Sequence, residues 1–277
     1  MVVAGLMFAL MGVFVKLGAR HFSAAELVFY RSLIGLAAVY GSVHWQHLTL
    51  ATPHWRMHLA RGLSGFFALM LFFYALTTLP LATAITLNYT SPLFLALLLI
   101  LTLRERPAWW LIASLVLGFV GVVLLLDPRF EGTAFLPRLV GLASGFFAGL
   151  AYFNVRRLGT LGEPEWRVVF YFTLVCTVAA GIWMGFSGVR LPRVADLPVL
   201  LGLGITATLG QLAMTRAWQR GHPLVVGSLA YSTVVFASLM DLVLWNEVLP
   251  PTSWLAILLI ALSGAWASRA GQPKAMG

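Results

Sequence analysis

The sequence predicts an all-α membrane protein of ten transmembrane helices, arranged as two inverted five-helix repeats. Three observations predict this fold: the composition, the length of the uncharged runs, and a self-similarity that returns after about 142 residues. Of 277 residues, 60% are hydrophobic and only 10% charged, and the mean hydropathy is +0.91. A soluble domain is about 45–50% apolar and a quarter charged, so a chain of this length lacks the polar surface to cover itself in water. The 10 Trp, 19 Phe and 7 Tyr exclude a disordered chain. The single cysteine, Cys176, excludes a disulfide framework and a cysteine-rich zinc site.

The net charge of +9 comes from Lys and Arg scattered singly or in pairs between apolar runs. Topogenic charges and anionic lipid headgroups account for that scatter more simply than nucleic acid does. Membrane lipid is therefore an expected partner, and nucleic acid is not.

Crossing a hydrocarbon core of about 30 Å takes roughly 20 helical residues. In chain order the runs give spans at about 1–18, 24–45, 57–78, 81–102, 108–126, 138–156, 168–187, 197–217, 223–245 and 252–268. The uncharged run from Gly62 to Leu103 is too long for one crossing, and Thr77-Thr78-Leu79-Pro80 divides it. Connections are short, so neighbouring helices run antiparallel and no soluble domain fits. The predicted units are residues 1–126, a connecting loop at 127–137, and residues 138–277. No basic segment or small-residue cleavage site precedes the first apolar run, so no cleaved signal peptide is expected.

Loop cations set the orientation. With a cytoplasmic N-terminus, the inner loops hold Arg56, Arg61, Arg104, Arg106, Arg156, Arg157, Arg167, Arg216, Arg220, Arg269 and Lys274. The outer set is smaller: Lys16, Arg20, Arg129, Arg138, Arg190 and Arg193. The expectation is a multi-pass protein of the cytoplasmic (inner) membrane with both termini inside.

A shift of 142 brings Leu87, Tyr89, Phe94, Leu97 and Glu105 onto Leu229, Tyr231, Phe236, Leu239 and Glu247. In the same frame Thr86 meets Ser228, Thr90 meets Ser232, and Ser91 meets Thr233. A shift of 141 lays Phe29-Tyr30-Arg31 on Phe170-Tyr171-Phe172. Five spans per half is an odd number, so the second half enters the bilayer in the opposite sense. Inverted repeats of this kind place a substrate near the midplane and work by rocking one half against the other.

The chain resembles the drug/metabolite transporter superfamily in its EamA-type branch. The resemblance rests on Leu6-Met7-Phe8-Ala9-Leu10-Met11-Gly12 with Lys16, on Phe29-Tyr30-Arg31, and on Gly118 and Gly121. Most telling is the stretch from Tyr74-Ala75-Leu76 through Leu79-Pro80-Leu81-Ala82-Thr83-Ala84 to Pro92 and Arg104-Glu105-Arg106. It implies ten helices, cytoplasmic termini and secondary transport of a small-molecule substrate without a cofactor. Amino-acid export by alternating access is the expected activity. Uptake of a bulkier solute such as S-adenosylmethionine or riboflavin is the alternative within transport, and a non-transporting scaffold the alternative outside it.

At 100° per residue, Thr83, Thr86, Tyr89 and Thr90 form a polar stripe on the fourth span, and Ser228, Tyr231 and Ser232 form its counterpart on the ninth. Such a stripe lines a cavity, or else its hydroxyls bond back to their own helix and its tyrosines join neighbouring helices. Arg31 lies inside the second span, where an ionisable group needs a partner or a wet cavity. It either holds a substrate carboxylate, pairs with Glu26, or snorkels to the interface. Gln211 on the eighth span, Tyr152 on the sixth and Tyr74 on the third complete the candidate substrate-binding set.

Lys16 is either an interfacial anchor or part of the outer mouth, and Asp241 has no evident partner in sequence. Gly141, Gly145 and Gly149 recur every four residues as a close-packing face. His44, His47, His54 and His58 gather around the second loop, where interfacial histidines are a simpler reading than a metal site. The sequence shows no phosphate loop and no intramembrane nucleophile, so no enzyme is expected.

Overall fold

A computed structural model describes residues 1–79, 81–104, 107–128, 135–187, 191–245 and 250–270. Pro80, Glu105 and Glu247, which carry part of the sequence argument, lie outside the described residues. Among those described, every regular element is helical: α1 Val2–Gly18, α2 Ala24–Trp45, α3 Trp55–Thr78, α4 Leu81–Asn88, α5 Ser91–Leu103, α6 Trp109–Leu126, α7 Phe135–Thr160, α8 Glu165–Ser187, α9 Leu197–Arg220, α10 Pro223–Ala230, α11 Ser232–Trp245 and α12 Pro251–Ala270, with a short 3-10 turn at Val194–Asp196. Nine segments of the described chain are long and apolar enough to cross a membrane, and the 17-residue α1 is a shorter apolar helix. Large apolar side chains such as Phe67, Leu101, Ile182 and Leu255 stand exposed around the bundle, as lipid-facing surface requires.

The helix ends follow local chemistry. Ser23 caps α2 in a capping box with Glu26, whose carboxylate accepts from the Ser23 N–H at 2.7 Å. Proline near the first turn opens α5, α9 and α10, where a missing N–H costs nothing. Gly162, at φ +76°, turns the chain from α7 into α8.

Two spans read from sequence as continuous helices are broken in mid-depth. In the first half α4 gives way to α5 through i+3 bonds, Thr90 N–H to Leu87 O at 3.3 Å and Leu93 N–H to Thr90 O at 2.9 Å. In the second half Val234 N–H reaches Tyr231 O at 3.1 Å between α10 and α11. Pro92 accounts for part of the first break, but the equivalent position 234 is valine. What both breaks share is a hydroxyl that takes the carbonyl three residues back: Thr90 donates to Leu87 O at 2.5 Å, and Ser232 donates to Leu229 O at 2.7 Å. A glycine of another helix lies against each. A Cβ on Gly145 of α7 would meet Leu87 O at 2.6 Å, and one on Gly5 of α1 would meet Ser232 Oγ at 2.8 Å. Hydroxyl back-bonding bends a helix, and the glycine lets a neighbour seat against the bend.

The packing has a regular order. α1 packs on α9 and α11, and α7 packs on α3 and α5. α2 packs on α9, and α8 on α3; α2 also meets α8, and α6 meets α12. Exchanging α1–α6 with α7–α12 in order returns these pairs, although the α7–α9 and α5–α10 packing has no counterpart as extensive among the described residues. Where the closest pairs meet, small residues let backbones approach: a Cβ on Gly121 of α6 would lie 3.1 Å from Ala256 O of α12.

Candidate functional site

Between the helices lies a cavity of about 480 Å³. Its wall is built from α1 (Phe8, Met11, Gly12), α2 (Arg31), α3 (Arg61, Gly65, Phe72), the α4–α5 break (Asn88, Tyr89), α7 (Tyr152), α8 (Phe172), α9 (Gln211, Met214) and α11 (Thr233, Ser238, Asp241). It runs from the mid-depth of the bundle to Asp241 and Leu126, near the last turns of α11 and α6. At its inner end Tyr152 stacks on Trp218, ring centroids 4.9 Å apart. Beyond them a packed apolar cluster of Leu95, Leu99, Phe153, Val155, Leu158, Val168, Met214, Trp218 and Val226 fills the bundle.

Four of the ten sequence-predicted residues line this cavity: Arg31, Tyr89, Tyr152 and Gln211. The Tyr89 hydroxyl lies near Thr233 of α11, and that of Tyr152 near Ser91. The Gln211 side chain is 8% exposed, and its Oε1 has no protein partner. Arg31 is buried and directs Nη1 to Met11 Sδ at 3.5 Å. Glu26, offered by sequence as its partner, is instead engaged with Ser23 at the start of α2.

The other six stand elsewhere. Thr90 and Ser232 donate to their own helices at the two breaks, and Ser228 donates to Leu224 O at 3.0 Å. Thr86 is buried with an unpartnered hydroxyl, away from the cavity wall. Tyr231 is fully buried; its ring lies 6.3 Å from both Tyr89 and Phe119, and a Cβ on Gly118 would meet it at 2.7 Å. Tyr74 is 45% exposed on the outside of the bundle.

Sequence reasoning missed Arg61, which it counted among the loop cations. Its side chain is buried in α3, and the guanidinium stands 4.1 Å from the Phe172 ring centroid, with Nε and Nη1 unpartnered. The signal that could have found it is the face it shares with Gly65, Ala68, Leu69 and Phe72, all lining the cavity at helical spacing. Asp241, without a partner in sequence, accepts from Lys16 Nζ at 3.1 Å, and the same ammonium lies 3.9 Å from the Trp245 ring centroid. No cluster of three or more His, Cys, Asp or Glu that could hold a metal occurs among the described residues.

Comparison with known proteins places this architecture. A solved crystal structure matches 98% of the chain and 96% of its own length, with a TM-score of 0.84 at 21% identity, which shows the shared fold. The pseudopaline exporter CntI of Pseudomonas aeruginosa (strain UCBPP-PA14) is 32% identical over 250 residues, covering 89% of this chain and 87% of that one. The S-adenosylmethionine uptake transporter of Rickettsia bellii (strain RML369-C) is 27% identical over 226 residues, covering 79% and 73%. The model of the EamA-like transporter family matches residues 1–127 and 137–269. With this match over nearly the whole length, and a fold to go with it, the chain belongs to the EamA-like transporter family.

Proposed function

We propose that this transporter exports amino acids and related amphipathic metabolites by alternating access through the cavity between α1–α6 and α7–α12. The observation that carries the reading is a cavity in which Gln211 Oε1 and Arg61 Nε and Nη1 lack protein partners while much of the wall is apolar and aromatic. Gln211 Oε1 is an unused acceptor suited to an ammonium, and Arg61 offers unused donors suited to a carboxylate. Phe8, Phe72, Tyr89 and Tyr152 supply the apolar contact that an amphipathic solute needs.

The two halves are inverted repeats of five spans, 1–126 and 138–277, with both termini on the cytoplasmic side. Support comes from the interchangeable helix pairings, the matching breaks and the bias of loop cations. On that orientation the cavity reaches toward the outer face, and the packed Trp218 cluster closes the inner one. Rocking α1 and α7 over the breaks at Tyr231 and Thr90 would exchange the two closures. Uptake of a bulkier solute remains the second reading, on the strength of the S-adenosylmethionine relative.

The test is reconstitution into liposomes with a panel of labelled amino acids and bulkier metabolites, with and without a pH gradient. Tyr89→Ala should reduce transport of the winning solute about tenfold or more while the protein still folds. Tyr231→Ala serves as the packing control and should lower the melting temperature more than it alters selectivity. Equal transport by wild type and Tyr89→Ala would remove the cavity assignment.

A further inference from the structure

Two cations sit on the cavity wall with no anion to answer them. Arg61 is 2% exposed and Arg31 is 9% exposed, and both line the cavity. The two guanidinium groups interact through space. Their protein contacts are soft: Phe172's ring at 4.1 Å for Arg61, and Met11 Sδ at 3.5 Å for Arg31. Neither pairs with a carboxylate among the described residues. The carboxylate that lines the wall among the described residues, Asp241, pairs with Lys16.

Placing two like charges in a low-dielectric interior without counter-charge is among the costliest arrangements a membrane protein can hold. Retaining it makes sense where a ligand completes the site. The surroundings of Arg61 are shaped for the guanidinium itself. A Cβ on Gly65 would come within 2.5 Å of Arg61 Nη1 and 2.8 Å of the Phe172 ring, so glycine at 65 keeps that space clear. The unused Nε and Nη1 lie on different edges of the planar guanidinium, and each shares its edge with Nη2, the pairing that grips a carboxylate through two parallel bonds.

We infer that Arg31 and Arg61 together form a dianion-binding site, so that the preferred substrates are organic acids carrying two carboxylates, acidic amino acids among them. This rests on the transport reading above and narrows it: Gln211 would take an amino group where one is present, while the two guanidinium groups set the preference for two negative charges.

The experiment is ligand binding to the purified full chain, read by intrinsic tryptophan fluorescence. The probes are glutamate and aspartate against their neutral isosteres glutamine and asparagine, with succinate as a dicarboxylate lacking the amine. Glutamate and aspartate should bind at least ~10-fold tighter than the amides, and Arg61→Gln or Arg31→Gln should abolish that ratio. Arg61→Lys, which keeps the charge and loses the fork, should retain only part of it. Should the glutamine variants fail to fold, Gly65→Ala keeps both cations and crowds the guanidinium, and it should still shrink the ratio. Equal or tighter binding of the amides, no binding of any probe, or a ratio indifferent to Arg61→Lys and Gly65→Ala would overturn the inference. The two readings fail separately. Transport of neutral amino acids with no acid preference leaves export standing without the dianion site. Binding of succinate that depends on Arg61, with no amino acid transported, leaves the site standing without amino-acid export.

Discussion

The two ends of the bundle are closed by different physics. At the Trp218 end, large side chains pack in depth: Leu95, Leu99, Leu158 and Trp218 are buried to within 1% exposure. That seal is backed by a largely buried polar network. Glu163 accepts from Thr52 Oγ1, and from Arg167 Nη1 at 2.9 Å, with His58 Nε2 at 3.3 Å. Arg167 and Tyr171 also donate to the carbonyls of Thr49 and Leu50, at 2.7 and 3.1 Å, tying the α2–α3 loop to α8. At the Lys16 end, by contrast, the cavity reaches the last turns, and the Lys16–Asp241 ion pair between α1 and α11 has side chains 45% and 38% exposed. A packed core costs several kcal/mol to open, whereas an exposed ion pair is worth about 0–1 kcal/mol. The asymmetry accords with a cavity that extends toward Asp241 and Leu126 rather than toward Trp218.

The largest effect should come from the packed end. Trp218→Ala removes a fully buried ring stacked on Tyr152 and should cost about 3–5 kcal/mol, read as a lower melting temperature in detergent. If the comparison is right, the variant should also leak solute in liposomes, because the space it leaves connects the cavity to the opposite face. A variant that melts early yet stays tight would show that the seal is redundant around Trp218.

The polar network behind that seal should fail in acid. Burial pushes the Glu163 carboxyl up, but the hydrogen bonds from Thr52 and Arg167, with the nearby His58 ring, outweigh it and hold the group below its ordinary value of 4.5. A carboxyl lowered in the folded state contributes stability that is complete above its unfolded value and is lost as pH falls through the folded one. Melting temperatures between pH 7 and pH 3 should therefore fall more steeply for wild type than for Glu163→Gln. At pH 7 the variant should be weaker by about 1–3 kcal/mol, since Arg167 and His58 lose a charged acceptor. Parallel acid profiles would remove Glu163 from the account of this end.

The spans were legible in the sequence because a bilayer demands about 20 apolar residues per crossing, and the family was legible in the motifs around Tyr74, Pro80 and Pro92. The breaks at Thr90 and Tyr231 were not. No proline stands at the break in the second half, and a hydroxyl bonded to Leu229 O looks in sequence like any other serine. The repeat also drew the eye to matched positions. Thr90 and Ser232 match because both helices bend there, whereas the cavity wall draws on unmatched ones: Arg31 answers to Phe172, and Arg61 to Gly202. Arg61 lies nearly two turns inside α3, close enough to the loop cation Arg56 to pass for another, and only tertiary packing against Phe172 shows it buried. The Lys16–Asp241 pair spans 225 positions, beyond any local pattern.

That pair offers the smallest effect on stability and the sharpest test of the contrast. Asp241→Asn removes the ion pair but leaves the Lys16 ammonium beside the Trp245 ring, so unfolding should change by no more than about 1 kcal/mol. Its kinetic effect should be larger than its energetic one. If the pair is a light clasp between α1 and α11, losing it should alter the rate of solute exchange in liposomes without altering the affinity measured in detergent. High salt should change wild-type exchange in the same direction, because exposed charges are screened over about 8–10 Å, and should leave Asp241→Asn unmoved. A loss of several kcal/mol in the variant would mean that the Lys16 end carries structural weight like the Trp218 end, and that the openness toward Lys16 needs another cause.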